Sequence, residues 1–201
     1  MEHSRSSKVS GDTEALRSSP PSVESLPAIS LPPALLQEAM TLNALVWPAK
    51  VPVKKRVEKR QADAEQDSDV MSQLTWHFVR EGGSIIAMAR TFRRVVAEAS
   101  GPRFPVLALA GVCTHPKYRG RGLGRAVVQA AWSRLKDDHL PVCFFQTGVP
   151  AFYQRMGARE VANRIYDSTG APRAFWDPHA MIYPSRTIWP VGAIDLLGGG
   201  W

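Results

Sequence analysis

YRGRGLGRAV, residues 118–127, places three glycines and three arginines in ten positions, between an apolar run and an amphipathic one. A glycine-rich turn lets backbone approach a ligand with no Cβ in the way. When such a turn opens a helix, free N–H groups and the helix dipole face a phosphate. The spacing narrows which phosphate. The dinucleotide pattern G-x-G-x-x-G fails, because its sixth position is Arg125 counted from Gly120 and Val127 counted from Gly122. The P-loop pattern fails as well, since Gly-Lys-Ser/Thr occurs nowhere. What remains is Arg119-x-x-Gly122-x-Gly124, with Lys117, Arg119, Arg121 and Arg125 carrying charge for more than one phosphate group.

The flanks say what the turn connects. FPVLALAGVCT, 104–114, is a continuous apolar run of the kind a strand buried on both faces shows. GRAVVQAAWSRLKDD after the turn has Val127, Ala130, Ala131 and Leu135 at helical spacing, with Arg125, Gln129, Arg134 and Lys136 around the other side. PVCFFQT, 141–147, reads as a second buried strand. PAFYQRMG reads as a two-turn helix with Pro150 near its start and Gly157 at its C-cap. VANRIYD and AFWDPHAMIYP read as strands around a turn at Ser168-Thr169-Gly170.

Toward the N-terminus, TWHFVR and SIIAMARTF flank Glu81-Gly82-Gly83 as a β-hairpin. ALLQEAMTLNALVWP, 34–48, has helical periodicity between Pro33 and Pro48. VKKRVEKRQADAEQDSD, 53–69, is a solvated helix or a linker, and its near balance of acids and bases argues for a plain surface segment. Residues 1–33, rich in Ser, Pro and Glu, read as a disordered lead-in to a domain over 34–201. The expected fold class is α/β in the mixed α+β sense, with one strand–helix–strand crossover at its centre.

Charge is unevenly spread. Residues 1–70 hold nine Lys/Arg and ten Asp/Glu, while 71–201 hold sixteen and eight. A basic globular part points to an anionic ligand. Nucleic acid is disfavoured, because the basic residues gather in one loop with Tyr118 as its only aromatic. No apolar run reaches a membrane span, and the first twenty residues have no apolar signal core. Cys113 and Cys143 lie in apolar runs without metal spacing. They read as buried thiols, and the expected location is the cytoplasm.

VCTHPKYRGRGLGRAV resembles the acyl-CoA signature of the GCN5-related N-acetyltransferases, Q/R-x-x-G-x-G/A. VCFFQTGVPAFYQRMGA, further along, resembles that family's next strand and short helix. The resemblance covers roughly 75–183 well and 34–74 loosely. It implies the acyl-CoA N-acyltransferase fold, in which two central parallel strands splay apart. It implies acetyl-CoA as co-substrate, no metal, and direct attack of a primary amine on the thioester. Val112, Cys113 and Thr114 would pair with the pantetheine arm, and a backbone N–H near Val112 or Cys113 would polarise the carbonyl. The N–H groups of Gly120, Arg121, Gly122, Leu123, Gly124 and Arg125 would cradle the pyrophosphate, with Arg119 adding charge. Tyr153 matches the tyrosine that often protonates the departing thiolate; the alternative is that Tyr153 is helix packing.

The family's usual carboxylate on the strand before the loop is missing, with Ala110 the nearest match. His77, His115, His179 and Asp177 are the candidates that remain, and none is preferred. His77 also reads as a half-buried wall residue and His115 as a cap. The ending IDLLGGGW is similar to the tail of aminoglycoside 2′-N-acetyltransferases, which implies that Trp201 helps hold a cationic amine. GGG replaces the acidic residue expected beside that Trp, and the alternative is a Trp201 that plugs an apolar crevice. The acceptor expected is a small-molecule amine. A protein or peptide amine, or a degenerate member that only binds CoA, stays open, as does a homodimer.

Overall fold

A computed structural model of the chain describes residues 21–48, 50–66, 73–99, 101–167 and 175–201. The expected turn at Ser168-Thr169-Gly170 lies outside these residues, as do residues 1–20 of the expected lead-in.

The hairpin forms where the two glycines fall. β2 (Thr75–Glu81) and β3 (Ser84–Glu98) are joined by Gly82 and Gly83, both at positive φ, the geometry a two-residue hairpin turn demands. β4 (Arg103–Thr114) pairs antiparallel with β3 along nearly its whole length. α3 (Leu123–Asp137) then crosses back and delivers β5 (Cys143–Thr147) parallel to β4. The short helix α4 (Pro150–Gln154) leads to β6 (Arg159–Val161), β7 (Ile165–Tyr166), β8 (His179–Tyr183) and β9 (Ile194–Asp195). With β1 (Glu24–Pro27) at one edge, the order across the sheet is β1-β2-β3-β4-β5-β8-β6, and β9 pairs with both β3 and β7.

Each face of the sheet has its own core. α3 buries Leu123, Val127, Val128, Ala131 and Trp132 against Ala87, Leu107 and Phe145 on one face. α1 (Pro33–Val46) and α2 (Val53–Gln66) cover half of the other, where Leu36, Ala39 and Met40 meet Trp76, Phe78 and Met88. β7, β9 and the C-terminal segment cover the remaining half, around Phe144, Phe175, Trp189, Ile194 and Trp201. Phe144 is central there, with Trp189 and Phe175 rings 4.8 and 5.3 Å away.

Three expectations are corrected. The lead-in is not disordered throughout. Glu24–Pro27 forms β1 on the free edge of β2, where Leu26 packs into the α1–α2 core. The stretch read as one strand, VANRIYD, is two, because Arg159–Val161 pairs with β8 while Ile165–Tyr166 pairs with β9. His77 is buried rather than half-buried, with both ring nitrogens engaged.

Candidate active site

The site begins at an irregularity in β4. Gly111 has φ 60, and the register with β3 slips between Met88 and Arg90, so the strand carries a bulge there. A side chain at Gly111 would start 3.0 Å from Nε of Arg90. Past the bulge, Val112 packs toward α3 while Cys113 points into the α1–α2 core, where burial pushes its thiol up to about 12. On the other edge of β4, pairing with β5 stops early. Leu107 faces Cys143 and Ala108 faces Phe144, and no further rows form. β4 runs on to Thr114 and β5 to Thr147, so the two strands splay, as expected, and the β5-facing edge of residues 109–114 is open.

The glycine turn continues this open edge. His115 accepts from the Lys117 N–H at 3.2 Å and caps a single 3-10 turn (Pro116–Tyr118), a capping role. Arg119 N–H donates to Pro116 O at 3.4 Å, and Ala126 N–H donates to Gly122 O at 3.0 Å. Among the described residues, none of the six amides from Gly120 to Arg125 has a backbone acceptor. Gly120 and Gly122 have φ 80 and 75, and space is open where a side chain on either would start. Gly124 serves closeness instead: its missing Cβ would sit 3.3 Å from Thr114 Oγ1 and 3.7 Å from Phe152. The turn is therefore a concave row of donors at the N-terminus of a fifteen-residue helix.

The arginines do not all face the same way. Arg121 pairs with Glu81 at the hairpin tip, 2.7 Å, and lies 5.2 Å over the Tyr118 ring. That hydrogen bond holds the Glu81 carboxyl below its ordinary range. Arg119 and Arg125 are exposed on the turn.

Tyr153 sits on α4, buried, with the Phe145 ring 4.7 Å and the Phe152 ring 4.9 Å away. Burial pushes its hydroxyl well above the usual phenol range, with Cys143 and Asp177 adding to the rise and Thr147 opposing it. It is thus a protonated phenol beside the end of β5, able to give up its proton only to a strong local base.

The C-terminal segment crosses the opposite face. Arg94 on β3 donates to Leu196 O at 2.9 Å and to Gly199 O at 3.2 Å, and Gln146 on β5 donates to Trp201 O. β4 lies between those two strands, so residues 196–201 span the tail-side face of the splay. The Trp201 ring is buried against Phe92, Phe144 and Phe175, with Arg94 5.1 Å above it, so it fills an apolar crevice. Two residues next to it had no sequence signal as a pair. Gln146 and Asp177 are 31 positions apart, yet Asp177 N–H donates to Gln146 Oε1 at 2.8 Å. His179 is tied to Glu160 at 2.7 Å. Among the described residues no group of His, Cys, Asp or Glu could hold a metal ion, and no helix is long and apolar enough to cross a membrane.

The sequence profile of the acetyltransferase (GNAT) domain matches residues 30–161. No curated protein matches the chain. Among solved structures, a GCN5-related N-acetyltransferase from Kribbella flavida superposes with TM-score 0.54 at 19% identity, over 70% of this chain and 33% of that one. The chain thus spans about a third of that protein's length. Escherichia coli ElaA gives 0.53 at 14%, over 81% and 98%. Glucosamine-6-phosphate N-acetyltransferase from Arabidopsis thaliana gives 0.50 at 13%, over 68% and 90%. At these identities the structural likeness speaks for the fold. None of these three likenesses carries the resemblance of the tail to aminoglycoside enzymes.

Proposed function

The chain belongs to the acetyltransferase (GNAT) family, and from that premise we propose that it transfers an acetyl group from acetyl-CoA to a primary amine of a small molecule. The observation that carries this reading is the open β4 edge followed, after the single 3-10 turn at Pro116–Tyr118, by six amides with no backbone acceptor. The edge at 109–114, including Val112, Cys113 and Thr114, suits the amides of a pantetheine arm. The concave turn suits a pyrophosphate, with Arg119 and Arg125 adding charge-assisted contacts. The residues fit the donor on geometry of this chain: a side chain at Gly120 or Gly122 would project into the space a phosphate needs.

The chemistry follows from that seating. A neutral amine attacks the thioester carbonyl, whose oxygen draws a hydrogen bond from backbone N–H near the bulge at Val112 or Cys113. Collapse breaks the C–S bond, and the thiolate takes a proton from Tyr153. A phenol held protonated by burial is matched to a thiolate born in the same apolar surroundings.

A small acceptor is favoured by residues 196–201, which narrow the face opposite α3. Trp201 walls that space. Arg90 and Arg94 on the same side disfavour a polycationic aminoglycoside. The cytoplasm suits a protein with two buried free thiols. The test is thiol release from acetyl-CoA across amino acids, amino sugars, monoamines, polyamines and peptide N-termini. Turnover with a small amine and not with peptides supports the reading. Peptide turnover moves it to a protein acetyltransferase, and CoA binding without turnover to a degenerate member.

A further inference from the structure

An amine that is an ammonium ion at neutral pH must lose a proton before it can attack, and β4 offers no carboxylate to take it. We infer that Asp177 takes that proton, directly or through one water. The inference rests on the acetyl-transfer reading above and adds its missing group.

The position of Asp177 follows from strand pairing. β8 lies antiparallel to β5 with His179 opposite Thr147, so the two residues before β8 sit beyond the end of β5. There the Asp177 N–H is fixed by Gln146, and its Oδ1 is 3.6 Å from where a side chain at Gly148 would start. Gly148 is the first residue after β5, so the carboxylate caps the strand that forms one wall of the splay. Successive β5 residues face opposite ways. Phe145 faces α3 and Tyr153, while Phe144 and Gln146 face the C-terminal segment. The end of β5 therefore has a phenol on one side and a carboxylate at its tip, close enough that the Asp177 charge helps keep Tyr153 protonated.

The alternatives are spoken for by their contacts. His77 is buried on the α3 face, bonded to Ser25 at 2.8 Å and Thr91 at 2.9 Å. His115 caps its turn. His179 shares a face with Thr147 but spends Nδ1 on Glu160, across β8 from the splay. Glu81 and Glu38 lie with Arg121 and Arg80 toward the hairpin. The titratable groups near Asp177 are Tyr153 on α4, which its charge reaches, and His179 at the head of β8, itself paired with Glu160 on β6.

The step balances. The ammonium gives one proton to the Asp177 carboxylate, and the nitrogen lone pair forms the C–N bond. The C–S bond breaks, the thiolate takes the Tyr153 proton, and the amide nitrogen returns its surplus proton to the tyrosinate. Asp177 then releases its proton to water.

The experiment takes the small amine turned over best by the wild type and measures kcat/KM against pH, with acetyl-CoA affinity measured in parallel by calorimetry. For Asp177→Asn the expected result is a loss of about 100-fold or more near neutral pH. Acetyl-CoA affinity stays within about twofold of wild type, and the loss shrinks as pH rises toward the pKa of the amine itself. Asp177→Glu regains part of the rate. The same variant should lose little with trifluoroethylamine, which is largely neutral at that pH, if the enzyme accepts it. An Asp177→Asn rate within about twofold of wild type across the profile overturns this inference alone, as does an equal loss of acetyl-CoA affinity. A wild type that releases no thiol with any amine overturns the acetyl-transfer reading and this inference with it.

Discussion

The glycine turn and the tail-covered face lie on opposite sides of one sheet and are built in opposite ways. The turn uses consecutive residues, 114–125, each placed by its neighbours in sequence. The other face is assembled from Phe92 and Arg94, Gln146, Asp177 and residues 196–201, which meet only because β3, β5, β8 and β9 pair as they do. The first is a site written locally, suited to a donor whose phosphates do not change. The second depends on tertiary packing and can be altered without touching the donor. Changes in one should leave the other intact, and the predictions for Tyr153, Gly122 and Glu81 test that separation.

Tyr153→Phe bridges the two regions and should have the largest effect. It removes a proton donor and little volume, so kcat should fall about 100-fold or more while acetyl-CoA affinity holds, measured by thiol release and calorimetry. An unchanged kcat would leave Tyr153 as packing against Phe145 alone.

The next prediction concerns another long-range assembly. Ser25, His77, Thr91 and Arg134 form a connected chain of hydrogen bonds from β1 to α3. Burial, with Arg134 nearby, lowers the His77 pKa from 6.5 to about 4. The unfolded chain binds this proton first as pH falls, so stability should drop from about pH 6.5 and level off near pH 4, by roughly 3 kcal/mol. Denaturant melts of wild type and His77→Gln across that window check it, with the variant lacking this part of the slope.

Gly122→Val acts on the turn alone. A left-handed φ of 75 costs a branched residue about 1–2 kcal/mol, and the side chain enters the phosphate space. Acetyl-CoA should bind about tenfold weaker or worse, with kcat at saturating donor little changed. The smallest effect belongs to Glu81→Gln. Freed from Glu81, Arg121 can turn to the phosphates, and acetyl-CoA should bind up to about threefold tighter at low salt, the gain fading as salt is added.

The same contrast explains what could be read from the chain. The two central strands, the crossover helix and the glycine turn between them were legible because glycine spacing, a continuous apolar run and helical periodicity are local signals, whereas the splay was expected only from the family resemblance. β1 and β9 were not: Glu24–Pro27 and Ile194–Asp195 are too short to show a period and exist only because β2 and β3 offer open edges. Trp201 had two readings in the sequence, an amine-holding residue or a plug, and only its packing against Phe92, Phe144 and Phe175 shows the crevice it fills. Asp177 stood among four candidates in the sequence. Only the antiparallel register of β8 against β5 brings it to the end of the splay, and no residue spacing encodes that register.

Calorimetric titration of acetyl-CoA into the wild-type protein and Gly122→Val tests the central claim most directly, since everything proposed for the acceptor side presupposes a donor seated on the turn. One site filled at micromolar concentration by the wild type, and about tenfold or more weaker in the variant, is the predicted result. No binding by the wild type, or equal affinity in both, would contradict it.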